Sequence, residues 1–151
     1  MHSLVNLFLF VSLLGLARCG GSKSATVQKK PGIDFITSNS MESVLAQAET
    51  SGKLVFVDIM AEWCLPCKMM DKDVFSDPDI GDFMNENFIN YKIDAEKENG
   101  PVVAMVYQVQ AYPTLLFVNS RGDIINKKVG AIYHSELMEM ARSALASVAV
   151  P

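Results

Sequence analysis

Apolar and polar positions along the chain follow two periods in turn. Leu54-Val55-Phe56-Val57-Asp58-Ile59 is a nearly continuous apolar run rich in branched and aromatic residues, the pattern of a central strand buried on both faces of a sheet. Phe88 to Asp94 and Thr114 to Val118 repeat that signal, and Ile33 to Thr37 is a shorter apolar run ahead of them. Between these runs the period changes. Ser40 is an N-cap candidate for a helix from Met41 to about Thr50, with Val44, Leu45 and Ala48 on one face and Ser51-Gly52 ending it. Cys67 to about Val74 reads as helical, and Ser76-Asp77-Pro78 has the cap and first-turn chemistry to start another helix through Asn85. Pro101 opens a helix carrying Val102, Val103, Val106 and Val109. A closing helix runs from His134-Ser135 to about Ser147, with Leu137, Met140, Ala141, Ala144 and Leu145 toward the core.

Asn119-Ser120-Arg121-Gly122-Asp123 predicts a hairpin turn into a last strand from Ile124 to Val129. The expected order is β-α-β-α-α-β-α-β-β-α. A parallel crossover half joined to an antiparallel hairpin implies an α/β chain with a mixed sheet of four to five strands and helices on both faces.

A different pattern occupies the beginning of the chain. Leu4 to Leu16 is apolar apart from Asn6, Ser12 and Gly15. That run fits the roughly 7 to 15 residues of a signal h-region and falls short of the about 20 that span a bilayer. Residues 1–18 are therefore expected to be a signal peptide, 19–32 a flexible linker and 33–151 the folded domain. Two readings of the leader stand. Cleavage after Ala17 would release a soluble exported protein, whereas Leu16-Ala17-Arg18-Cys19 resembles a lipobox, in which Cys19 is lipidated and holds the domain at a membrane. In both, Arg18 is off pattern, and the n-region has no Lys or Arg. Gly20-Gly21-Ser22-Lys23-Ser24 has the composition of a tether. The expected location is the periplasm, or a membrane face toward the periplasm or exterior.

With 151 residues, half of them hydrophobic, the chain has the size and apolar content of one domain. The formal charge is -4, from 13 Lys and Arg against 17 Asp and Glu. The cations form no basic face, which argues against nucleic-acid binding. Nine acidic residues against three lysines lie between Asp71 and Glu98; they are read first as solvated helix faces and loops that place a negative field near the chemistry described next.

Setting Cys19 aside leaves two cysteines, in Trp63-Cys64-Leu65-Pro66-Cys67. A disulfide closing so small a loop restricts the unfolded chain little, so the spacing points to a redox pair rather than a staple. The pair falls where a buried strand gives way to a helix. A cysteine at a helix N-terminus meets unsatisfied N–H groups and the positive end of the dipole, which favour its thiolate. Cys64 is the expected nucleophile. Cys67, one turn further in, is the expected resolving thiol that releases the product.

Over residues 33 to 147 the chain resembles the thioredoxin family, and the likeness extends beyond the dithiol. Asp58, six residues before Cys64, stands where the family has a buried aspartate, which implies a proton acceptor for Cys67. Lys92 in Tyr91-Lys92-Ile93-Asp94 matches the lysine that neighbours it. Ala111-Tyr112-Pro113-Thr114 matches the loop whose proline is cis and faces the dithiol. By resemblance, Pro113 would expose the Tyr112 backbone to an extended substrate and keep metal from the thiols. Tyr112 departs from the commoner aliphatic residue or Thr. Gly130 matches a glycine beside the active site, and Trp63 and Pro66 complete the motif. Asp73-Val74-Phe75-Ser76-Asp77-Pro78 is similar to an insert in the C-terminal domain of the membrane thiol:disulfide interchange reductase and its single-domain exported relatives. The implied fold is the thioredoxin fold.

The implied activity is that of a protein-disulfide oxidoreductase, with protein thiols and disulfides as substrates. A membrane or thioredoxin-type donor would supply electrons. Leu65-Pro66 offers the Cys64 thiolate no cationic partner, while Asp58 and Glu62 add negative charge; together these favour a reductase, against the pull of Lys68 and the helix dipole. The alternatives are a disulfide oxidant or isomerase, and a binding or assembly module without turnover. No cofactor is expected beyond the Cys64–Cys67 disulfide. Metal is not expected, since His2 and His134 are badly placed to complete a site, and the methionines Met60, Met69, Met70 and Met105 read as core filler. A monomer is expected.

Overall fold

A computed structural model of the chain describes residues 31–37 and 40–148. The leader 1–18, Cys19, His2 and all of the linker up to residue 30 lie outside the described residues.

The elements run α1 (Met41–Ser51), β1 (Leu54–Met60), α2 (Leu65–Asp73), α3 (Pro78–Asn87), β2 (Phe88–Asp94), α4 (Gly100–Val106), β3 (Thr114–Val118), β4 (Ile124–Val129) and α5 (His134–Val148). The four strands lie in the order β2-β1-β3-β4. β1 pairs parallel with β2 and antiparallel with β3, and β4 folds back antiparallel on β3. This is the expected mixed sheet, with β1 at its centre.

Successive side chains on a strand point to opposite faces, and the core divides accordingly. Phe56, Phe88, Leu115 and Phe117 face α2, α3 and α5, packing with Met70, Met84, Leu137 and Ala141. Val55, Val57, Ile59, Tyr91, Leu116 and Val118 face α1 and α4, meeting Val44, Ala48 and Val103. Burial on both faces explains why β1 and β3 read as continuous apolar runs. The helix ends are local: the Ser40 hydroxyl accepts from Ser43 N–H, and Asp77 accepts from the N–H groups of Asp79 and Ile80, each satisfying first-turn donors that lack a helical partner.

Three expectations are corrected. Ile33 to Thr37 forms no strand of its own; it makes one parallel bridge, Ile36 to Tyr91. Two N–H groups ahead of the bridge bond elsewhere: Ile33 N–H donates to the Phe75 carbonyl at 2.7 Å and Asp34 N–H to Asn85 Oδ1 at 2.9 Å. In α4 only Val103 of the expected apolar face is buried, and Val102 and Val106 are exposed. The helix lies at the edge of the second core layer and offers it a single valine. Gly32, placed in the linker from sequence, is buried and accepts from Asn85 Nδ2 at 3.0 Å.

Candidate active site

The C-terminal end of β1 delivers the chain into the turn Ala61-Glu62-Trp63-Cys64, closed by Cys64 N–H donating to the Ala61 carbonyl at 3.0 Å. Cys64 is then the N-cap of α2, with Pro66 in the first turn, where its missing N–H costs no helical bond. The helix thus starts earlier than the periodicity suggested. As a result both cysteines belong to its first turn, and they are joined as a disulfide with Cα atoms 5.4 Å apart. Cys67 N–H donates to Cys64 Sγ at 3.2 Å, so the sulfur occupies the place a serine or aspartate oxygen takes in an ordinary cap. Cys67 is 1% exposed, and Ala61, Met60 and Tyr112 pack around the pair.

Tyr112-Pro113 is a cis peptide, Pro113 is buried, and its carbonyl accepts from Gly130 N–H at 2.8 Å. Gly130 has φ of 94°, in the left-handed region that suits glycine. Tyr112 meets Trp63 edge to face, ring centres 5.9 Å apart. Trp63 remains 67% exposed, and its indole N–H donates to the Glu96 carboxylate at 3.0 Å. Leu65 and Met69 are also exposed on α2, leaving apolar surface near the disulfide, so Met69, like the exposed Met105 of α4, is not the core filler expected from sequence.

Asp58 lies on the Phe56 side of β1 and is 1% exposed. Burial pushes its carboxyl up to about 6, against the opposing pull of Lys92 and with a further upward push from Asp71. The Lys92 ammonium stands 3.0 Å from Asp58 Oδ2. The contact is ionic and off the line of a directed hydrogen bond; neither carboxylate oxygen of Asp58 has a well-aligned donor among the described residues. Lys92 also pairs with Asp71 and lies over the rings of Phe35 and Phe75, 4.8 and 5.1 Å from their centres.

Sequence reading did not pick out Asp71, Glu96, Lys97, Phe35 or Phe75 as site residues. Asp71 had a local signal, since four residues after Cys67 is one turn along the same helix face. The others arrive from distant segments. Lys97 pairs with Glu62 and stands 3.6 Å from Asp94, and it holds the Glu62 carboxyl below its ordinary value. Glu62 is therefore a paired charge, which offsets part of the negative field it was expected to impose on Cys64. Among the described residues no group of three or more His, Cys, Asp and Glu side chains is placed to hold a metal, and no helix is long and apolar enough to cross a membrane.

Comparison with known proteins agrees with this geometry. A thioredoxin-like family profile matches residues 36–120. The thiol:disulfide interchange protein DsbD of Klebsiella pneumoniae is 34% identical over 84 residues, 54% of this chain and 14% of that protein. The chain thus spans a small part of that relative. Thioredoxin H4 of Arabidopsis thaliana is 33% identical over 87 residues, 58% of this chain and 68% of its own. A solved structure described as a candidate disulphide-isomerase from Bacteroides thetaiotaomicron superposes with a TM-score of 0.69 at 40% identity, covering 79% of this chain and 98% of that one. A thioredoxin from Thermus thermophilus, at 22% identity and a TM-score of 0.68 over 78% of this chain and 92% of its own, shares the fold. With a disulfide capping its second helix, a cis proline loop beside it and these relatives, the chain belongs to the thioredoxin-like family of thiol:disulfide oxidoreductases.

Proposed function

We propose that the chain is an exported protein-disulfide reductase. In the reduced protein the Cys64 thiolate attacks one sulfur of a substrate disulfide, and the other sulfur leaves as a thiolate. Cys67 gives its proton to Asp58 and attacks Cys64 Sγ, releasing the second substrate thiol and forming the Cys64–Cys67 disulfide. Two electrons pass to the substrate. A dithiol donor, membrane-borne or thioredoxin-like, returns them. Pro113 and Tyr112 present backbone for an extended substrate segment, with Gly130 bonded behind them, and Trp63 and Leu65 offer apolar contact.

One observation supports the direction: in the disulfide form the Cys67 N–H donates to Cys64 Sγ, and among the described residues no side-chain donor stands on that sulfur ready to stabilise a thiolate. Strong oxidants in this fold owe their potential to extra stabilisation of the reduced thiolate, and potentials run from about -270 mV in reductants to about -120 mV in oxidants. Equilibration with glutathione measures the value. A potential near the reductant end is expected; one near the oxidant end overturns the reductase reading. An isomerase is the second reading, favoured by the description of the Bacteroides thetaiotaomicron relative, and an intermediate potential together with reshuffling of scrambled disulfides would support it.

Export rests on the leader 1–18, with Cys19 as the proposed lipidation site. The mass of the mature N-terminus distinguishes the two fates: a diacylated Cys19, or an unmodified residue after cleavage at Ala17.

A further inference from the structure

Lys92 is held from four directions. Asp58 comes from β1 and Asp71 from α2, while Phe35 comes from the segment before α1 and Phe75 from the turn between α2 and α3. The two rings also pack on each other, edge to face at 5.2 Å. An ammonium over aromatic faces gains electrostatic attraction while giving up water, and the Lys92 side chain is 15% exposed against 41% for Asp71. Phe75 lies in the inserted segment Asp73 to Pro78, so that insert supplies part of the enclosure.

The charge count gives Asp71 a role. With both carboxylates ionised, Asp58, Lys92 and Asp71 together carry one net negative charge. Protonating Asp58 brings the group to neutrality. Without Asp71 the same protonation would leave Lys92 as an uncompensated charge at a largely enclosed position, which is unfavourable. We infer that Asp71 is a positioning residue for disulfide exchange: by sharing the Lys92 ammonium it keeps that charge paired whether Asp58 holds a proton or not. Asp58 is thereby freed to accept and return the proton of Cys67. The inference rests on the reading of Asp58 as that proton acceptor. Lys92 from β2 and Asp71 from α2 are the charges that act on Asp58; β3 opposes it with Leu115, and Phe35 and Phe75 face Lys92 with uncharged rings.

The test uses the full chain and two readouts: the carbon-13 shift of the Asp58 carboxyl against pH, and the pH profile for reduction of glutathione disulfide by the reduced protein. In Asp71→Asn, Lys92 is left to Asp58 alone. The Asp58 midpoint is expected to move to lower pH, the acid limb of the rate profile to move with it, and the plateau to fall because Asp58 becomes the weaker base. Asp71→Glu should restore both. A folded Asp71→Asn protein whose midpoint or acid limb stays at the wild-type position overturns the inference, as does failure of Asp71→Glu to restore them. Asp58→Asn separates the two levels of the argument. If it abolishes the acid limb while Asp71→Asn leaves it unmoved, Asp71 alone is wrongly assigned. If Asp58→Asn leaves the limb intact, the proton-acceptor reading itself falls.

Discussion

The Lys92 ammonium and Asp58 Oδ2 stand 3.0 Å apart, yet this pairing does not bring the carboxyl down to its ordinary range. Desolvation wins, and Asp58 titrates at about 6 rather than 3.8. Its proton is therefore bound more tightly in the folded chain than in the unfolded one. The stability this contributes is fully present below about pH 4 and is lost as pH rises through 6, an amount of order 3 kcal/mol. Asp58→Asn should raise stability at pH 7 by up to about that much and leave it nearly unchanged at pH 4. Urea denaturation of the oxidised protein at the two pH values checks this, and an equal effect at both would contradict it.

Cys67→Ala leaves Cys64 at the start of α2 with no resolving thiol. The variant is expected to accumulate mixed disulfides with protein substrates, visible as adducts on a non-reducing gel and reversed by reductant. Cys64→Ala should give none. Adducts formed equally by both variants would remove the assignment of Cys64 as the attacking sulfur.

Gly81, in the first half of α3, packs directly on Gly32, and a Cβ there would run into the Gly32 backbone. Backbone cannot rotate away as a flexible side chain can. Gly81→Ala should therefore destabilise by about 1 to 3 kcal/mol in spite of the better helix propensity of alanine. Thermal unfolding measures the change, and a stabilised variant would show that the α3 packing is looser than described.

Phe56 is fully buried at the centre of β1 and packs against Phe117 of β3, ring centres 5.0 Å apart. Phe56→Ala removes a ring from a site walled by strand and helix, where little can collapse to fill it. A loss of about 3 to 5 kcal/mol is expected from equilibrium unfolding; a loss below about 1 kcal/mol would mean that the core closes over the gap.

Much of the fold was readable because its signals are local. The run Leu54 to Ile59 identified the central strand, since only a strand covered on both faces tolerates six residues with one charge among them. Ser40 and Asp77 marked helix starts because their oxygens bond N–H groups two or three residues away. Ile33 to Thr37 misled for the opposite reason. Its apolar content suits a strand, but Phe75 and Asn85 take the bonds that would have built one. In α4 the valines gave a helical period without indicating that Val103 would be the buried valine of the helix, joined in the core by Ala104 and Tyr107.

The site divides in the same way. Spacing and residue type were enough to single out Cys64 and Cys67, because a helix N-terminus acts on the sulfurs through groups within one turn. The candidates Asp58, Lys92, Tyr112, Pro113 and Gly130 came from family resemblance. The pairing of Lys97 with Glu62, the grip of Glu96 on Trp63, and the enclosure of Lys92 by Asp71, Phe35 and Phe75 were decided only when the sheet brought separate segments together. Charge and desolvation depend on distance in space, so the sequence determined the helix-start dithiol and the tertiary structure decided how the groups around it are charged, paired and buried.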